Sequence, residues 1–118
     1  MIPVILETPY AGTDGGRTWD DPDVQANLAY TRACMRDCLL RGEAPFASHV
    51  IYTQPDVLHD GIPDERERGI EAGFAWRHIA HKTVVYTDRG ITPGMMKGIS
   101  HARDLKHEVV YRILPGKN

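Results

Sequence analysis

The chain has no run of basic residues interleaved with aromatics: Lys and Arg number 14 against 16 acidic residues, a formal net charge of -2. Binding to a phosphate backbone depends on concentrated positive charge, so the balance disfavours nucleic acid as the main partner. No apolar stretch approaches the roughly 20 residues needed to span a bilayer. The N-terminal "MIPVILE" has no basic segment ahead of its apolar run, so no membrane association and a cytoplasmic location are expected. Cysteine is scarce as well. Cys34 and Cys38 stand four apart in "CMRDC", a spacing that matches neither a redox CxxC nor a zinc pair. Ordinary reduced core thiols are the leading reading, since a free Cys behaves as a small buried hydrophobe; a reactive thiol is the other. GxGxxG, GxxxxGK[ST] and GxSxG are all missing. His78 and His81 are three apart without a supporting third ligand, and "DVLHDG", with Asp56, His59 and Asp60, reads as a polar loop. Neither a metal nor a cofactor is expected.

What is present is ordinary globular material: 118 residues, 42% hydrophobic and 25% charged, with 11 Gly and 8 Pro. That length suits one domain with a core that stands without staples. The domain is placed over residues 1–114, with a short polar tail over 115–118.

"PVILE" is a continuous apolar run ended by a polar residue and then by Pro9 and Gly12, which suits a strand buried on both faces. After the Gly- and Asp-rich "AGTDGGRTWDDPD", Asp21 is placed to cap a helix with Pro22 at its first position. Val24, Leu28, Thr31, Met35 and Cys38 recur at helical spacing until Gly42. "APFASHVIYTQP" is β-branched and aromatic and reads as the second strand. A second helix begins near Pro63, with Ile70, Phe74, Trp76 and Ile79 on its apolar side. Gly69 and Gly73 lie four apart on one face, where glycine permits close approach of a backbone or a ligand. "KTVVYTD" is a third strand, "TPGMMKGISHARDLK" a third helix capped by Thr92, and "EVVYRIL" a fourth strand. The alternation β-α-β-α-β-α-β predicts an α/β fold: a small Rossmann-like parallel sheet of about four strands with helices on both faces.

In such a sheet ligands bind beyond the carboxyl ends of the strands, where the strand order reverses. The unusual polar residues gather there: Glu7, Thr8, Pro9, Tyr10, Ala11 and Gly12 after the first strand; Ser48, His49, Tyr52 and Gln54 at the end of the second; Thr87 to Gly90 after the third. The third helix opens on Thr92-Pro93-Gly94, and the backbone N–H groups of Gly94, Met95 and Met96 at its positive end suit a phosphate or carboxylate. Glu7 ends an apolar strand, where a charge needs a partner, a ligand or water. Asp88 reads either as a ligand contact or as a turn residue paired with Arg89. "DERERGIE" is a solvated helix face, although Glu71, beside Gly69 and Gly73, is placed to look into a cleft.

"ILETPYAG", "NLAYTRACMRDCLLRGEAPFASHVIYTQPDVLHDGIPDERERGIEAGFAW" and "TVVYTDRGITPGMMKGISHA" together resemble a family of small proteins of unknown function found in bacteriophages and actinobacterial genomes. That family is in turn similar to the nucleoside 2-deoxyribosyltransferases and deoxynucleoside-monophosphate N-glycosidases. Tyr10, Ala11 and Gly12 match the Y-x-A-G-P motif of those enzymes, which precedes the loop contacting the nucleoside or its phosphate. Their pattern S-x-G-x-x-x-E-I-x-x-A places Gly94, Ile99 and Ala102 on its glycine, Ile and Ala, and Gly98 on the nucleophilic Glu. The resemblance therefore implies a phosphate and sugar cradle without its nucleophile. The expectation is a non-catalytic binder of a nucleotide or ADP-ribose-like molecule, which in a phage would sequester a host immune signal. The alternative is an N-glycosidase or deoxyribosyltransferase with a relocated carboxylate, Glu71 or Glu7. The resemblance also implies a homo-oligomer, with Trp19, Trp76 and Tyr30 as interface aromatics.

Overall fold

The computed structural model describes residues 1–12 and 16–116; Thr13, Asp14 and Gly15 of the Gly-rich stretch and the last two residues of the expected tail lie outside them. Eight elements follow in the order β1 (Ile2–Glu7), α1 (Pro22–Leu40), β2 (Glu43–Phe46), α2 (Ser48–Ile51), α3 (Pro63–Arg77), β3 (Lys82–Tyr86), α4 (Pro93–Asp104) and β4 (Glu108–Arg112). The four strands form one parallel sheet in the order β2-β1-β3-β4. This is the expected α/β architecture, consistent with a small Rossmann-like domain.

Strand alternation decides which side chains meet which helix. Val4, Leu6, Val84 and Tyr86 share one face, where Cys34 and Cys38 of α1 close over them. Val85 points the other way, into a second cluster with Met95 and Ile99 of α4. In both layers each fully buried aliphatic side chain contributes about 1.5–3 kcal/mol relative to exposure. Helix α1 starts where the sequence says: Asp21 accepts from the backbone N–H groups of Asp23 and Val24, and Pro22 takes the first position. It stops at Gly42, whose φ of 84° lies in the left-handed region that costs glycine nothing.

Two expectations need correction. The second strand ends at Phe46 rather than running on through Tyr52. β2 is an edge strand bonded to β1 alone, and its last partner pair is Ile5 with Phe46. β1 itself ends two residues further on, at Glu7, so a strand running to Tyr52 would leave its last backbone groups without a neighbour. The chain instead turns into α2, with Val50 N–H on the Ala47 carbonyl at 3.1 Å and Tyr52 N–H on that of Ser48 at 2.9 Å. His49 and Tyr52 therefore sit on and just after a helical turn, not on a strand. The second correction concerns α3, whose fully buried positions are Gly73 and Arg77. Trp76 is exposed and Ile79, beyond the helix end, is 68% exposed, because α3 faces the short α2 and the sheet through its glycine rather than through a broad apolar stripe.

Candidate functional site

The chain leaves β1 toward β2 on one side and returns to β3 on the other, so the strand order reverses between β1 and β3. The loops leaving these two strands border the position where ligands bind in open parallel sheets. Asn27 of α1 ties them together. Its Nδ2 donates to the carbonyls of Tyr10 at 3.0 Å and Ala11 at 3.1 Å, while its Oδ1 accepts from Arg89 Nε at 2.9 Å. Pro9 and Gly12 are buried beside them, and Gly12 N–H donates to the Gly16 carbonyl at 2.8 Å. The first loop is thus held by side chains of α1 that are fixed in the core.

His49 closes the β2 side of this loop. Its Nε2 lies 2.6 Å from Thr8 Oγ1, which in turn lies 2.6 Å from Thr31 Oγ1. Its ring meets Tyr10 edge-on, with centroids 6.4 Å apart. Burial holds the His49 imidazole down at about 4, so it is neutral at pH 7 and offers one donor and one acceptor. Tyr52, one turn on, accepts from Trp76 Nε1 at 2.9 Å, and Trp76 stacks on Phe46. A small cavity of about 60 Å³ opens between α2 and α3, lined by Ser48, His49, Thr53, Asp60, Arg66 and Gly69 among others. Arg17 Nη1 reaches Asp60 Oδ2 at 2.7 Å across its rim.

On the other face, Glu7 at the end of β1 turns its carboxylate between α3 and α4. Oε2 accepts from Arg77 Nη2. Arg77 is 2% exposed, and its other two nitrogens are engaged too: Nε with Thr83 Oγ1 at 3.1 Å, and Nη1 with His101 Nδ1 at 3.0 Å. The His101 ring stacks flat on Phe74 at 3.9 Å. Burial raises the Glu7 carboxyl to about 7, against the opposing charge and hydrogen bond of Arg77. His101 moves down, first through burial and then through the Arg77 charge.

What leaves room for this carboxylate is Gly98. A Cβ built there would stand 2.0 Å from Glu7 Oε2 and 2.8 Å from Oε1. The acid sits in the space where a side chain at position 98 would begin. Glu71, the other carboxylate considered for relocation, is exposed on α3 and is not brought to Gly98.

The start of α4 differs from a bare anion cradle. Thr92 Oγ1 accepts from Met95 N–H at 3.2 Å, and the Thr92 carbonyl accepts from Met96 N–H at 3.0 Å. Two of the three expected donors are therefore used by the helix's own cap, which leaves exposed Gly94 as the position these bonds do not occupy. The Met95 side chain is buried against Val85 and Ile99, while Met96 is 50% exposed. Within the chain, Asp88 pairs not with Arg89 but with Tyr30 and the backbone of Leu114. Its carboxylate accepts from Tyr30 Oη and from Leu114 N–H at 3.1 and 3.2 Å, pinning the chain after β4 to α1.

Residues 3–112 match a family described as a domain of unknown function, DUF7768. The chain belongs to the DUF7768 family. No curated protein and no solved structure matches it at a significant level.

Among the described residues of this DUF7768 domain, no group of three or more His, Cys, Asp or Glu side chains is placed to hold a metal ion, and no helix is long and apolar enough to cross a membrane. Its site relies on residues that spacing alone did not single out. Asn27 and Arg77 sit inside helices, where a polar residue ordinarily reads as a solvated position, and Thr31 was marked only as one of the inward positions of its helix. The available signal was positional: Thr31 and Asn27 fall on the buried side of α1 set by Val24 and Leu28, and Arg77 follows Gly73 by one turn.

Proposed function

We propose that this DUF7768 domain holds a nucleotide or ADP-ribose-like molecule, without turning it over, in the cleft between the loop after β1 and the start of α4. The observation that carries this reading is Gly98. In the nucleoside 2-deoxyribosyltransferase-like enzymes that the sequence resembles, this position bears the nucleophilic Glu; here its space is taken by Glu7, whose Oε2 is bound by a buried Arg77. An arginine on one oxygen stabilises the carboxylate's negative charge and so lowers its nucleophilicity. Holding a ligand asks only for complementary contacts, with no preference for a transition state. In a phage, a protein of this kind would withdraw a nucleotide signal from its host.

A second reading is favoured by the same residue: Glu7 has moved into the nucleophile's space, so it takes over as the acid of an N-glycosidase. One experiment separates the two. The protein is incubated with mixed ribo- and deoxyribonucleosides, their 5′-monophosphates and cyclic ADP-ribose isomers, and both the solution and the denatured protein are analysed by mass spectrometry. The binder reading expects an intact ligand recovered on denaturation. Free base or sugar phosphate in solution, lost in Glu7→Gln, would establish the enzyme instead. The resembled enzymes complete each pocket with a neighbouring subunit, so a homo-oligomer belongs to the proposal, and sedimentation giving a monomer would remove that part. The aromatic residues first considered for the interface are engaged within the chain: Trp76 on Phe46, Tyr30 on Asp88, Trp19 against the Tyr10 cluster.

A further inference from the structure

The Glu7 carboxylate is fixed at one end only. Oε2 is committed to Arg77, which is itself tied to Thr83 on β3 and His101 on α4. The guanidinium has little freedom to move, and the carboxylate is oriented by a support drawn from three elements. Oε1 has no hydrogen-bond partner among the described residues. No fully buried side-chain oxygen or nitrogen among those residues lacks one. Oε1 therefore lies on the accessible part of a side chain that is only 15% exposed.

An ionised carboxylate oxygen accepts and does not donate, and it repels phosphate. The group it receives must be a donor such as a hydroxyl. Acidic side chains at the carboxyl ends of parallel strands meet ribose hydroxyls in just this setting. The negative and positive features of the proposed site are also separated. Glu7 lies against the middle of α4 at Gly98, while the positive end of that helix is one turn away at Gly94.

We infer that Glu7 Oε1 is the acceptor for one hydroxyl of the ligand's sugar, so that this site selects ribose over the corresponding deoxyribose. This rests on the reading of the cleft as a nucleotide site, and it adds which part of the ligand meets β1. Gly98 and Arg77 are positioning residues: the first leaves the space, the second sets the angle.

The test is a binding series on the whole chain by calorimetry at pH 8, using the four ribonucleoside 5′-monophosphates with their 2′-deoxy and 3′-deoxy counterparts. One of the two deoxy forms is expected to bind about ten- to a hundredfold more weakly, the range for losing a hydrogen bond to a charged group. Glu7→Gln is expected to cut the preference about tenfold, because Arg77 takes the amide oxygen and the NH₂ group turned toward the ligand offers the hydroxyl only a neutral hydrogen bond. The wild-type series needs no variant, so a poorly folding Glu7→Gln leaves it decisive. Equal affinity of wild type for all three sugar forms would overturn the Glu7 assignment and leave the nucleotide reading standing. No binding of any of these nucleotides, nor of ADP-ribose titrated in the same way, would overturn that reading and this inference together.

Discussion

Glu7 and Glu43 are both largely buried carboxylates facing arginine, yet their acidities move in opposite directions, although burial alone would raise both. Glu43 has Arg112 across both oxygens, at 2.8 and 2.9 Å, with Lys82 Nζ at 3.0 Å. These hydrogen bonds outweigh burial and hold it down at about 2. Glu7 has one arginine on one oxygen, burial wins, and it rises to about 7. A carboxyl whose folded value is raised contributes stability that is present below its unfolded value, near 4.5, and lost as pH rises through about 7. The depressed Glu43 contributes stability above about 4.5 that is lost as pH falls toward 2. Between pH 5 and 8, wild type should therefore lose urea stability relative to Glu7→Gln. Between pH 4.5 and 2.5 it should lose stability relative to Glu43→Gln. Parallel curves for wild type and Glu7→Gln from pH 5 to 8 would show that Arg77 compensates the burial fully. At pH 7, Glu43→Gln should cost roughly 3 kcal/mol, as expected when a buried pair loses one partner.

Gly98→Ala applies the same chemistry to the site. Alanine gains about 1 kcal/mol of helix propensity over glycine, but its Cβ would meet Glu7 Oε2 at 2.0 Å. The carboxylate must leave Arg77 for the methyl to fit, which costs roughly 3 kcal/mol. A net loss of about 2 kcal/mol is expected in urea denaturation. A variant as stable as wild type would mean that Glu7 is not held where it lies.

At the scale of elements, α2 and α3 meet through a pair that no periodicity reveals. A Cβ at Gly73 would stand 2.6 Å from Ser48 Oγ and 2.8 Å from Ser48 Cβ. Close approach at Gly73 was legible in the sequence from glycines four apart on a helix. What approaches was not, because the α2 turn was hidden in a β-branched stretch whose edge-strand position only the sheet order discloses. Gly73→Ala should therefore destabilise by about 1–3 kcal/mol as an overpacked contact, and Ser48→Gly in the same chain should recover most of that. Failure of Ser48→Gly to rescue would place the strain elsewhere. Helix α1 was legible almost to the residue, since its cap, its proline and its apolar spacing agree. Its cysteines are the buried thiols that their spacing suggested. Burial pushes Cys34 up to about 12 and Cys38 to about 11, so both should react with a thiol reagent at pH 8 only as the protein unfolds.

Across the whole molecule, the sheet and its two helical layers follow from alternating apolar segments, whereas the site depends on pairings between residues far apart in sequence. Glu7 was marked as a charge in need of a partner, but Arg77 lies 70 positions away, and only the register of β1 beside β3 brings them together. The same geometry orients the proposed ligand, its sugar toward Glu7 and its phosphate toward Gly94. A ligand that binds only the folded state at a hundred times its Kd adds about 2.7 kcal/mol of stability. For a chain of this length that corresponds to a rise in Tm of about 10 °C. Gly94→Asp puts a negative charge at an exposed position in the first turn, where it suits the helix dipole and should leave the unliganded Tm within about 2 °C of wild type. It should nevertheless remove most of the rise produced by a ribonucleoside 5′-monophosphate, while sparing the smaller rise produced by the nucleoside. Equal losses for nucleotide and nucleoside would show that Gly94 lies beside the sugar or base, and no loss for either would take the start of α4 out of the site.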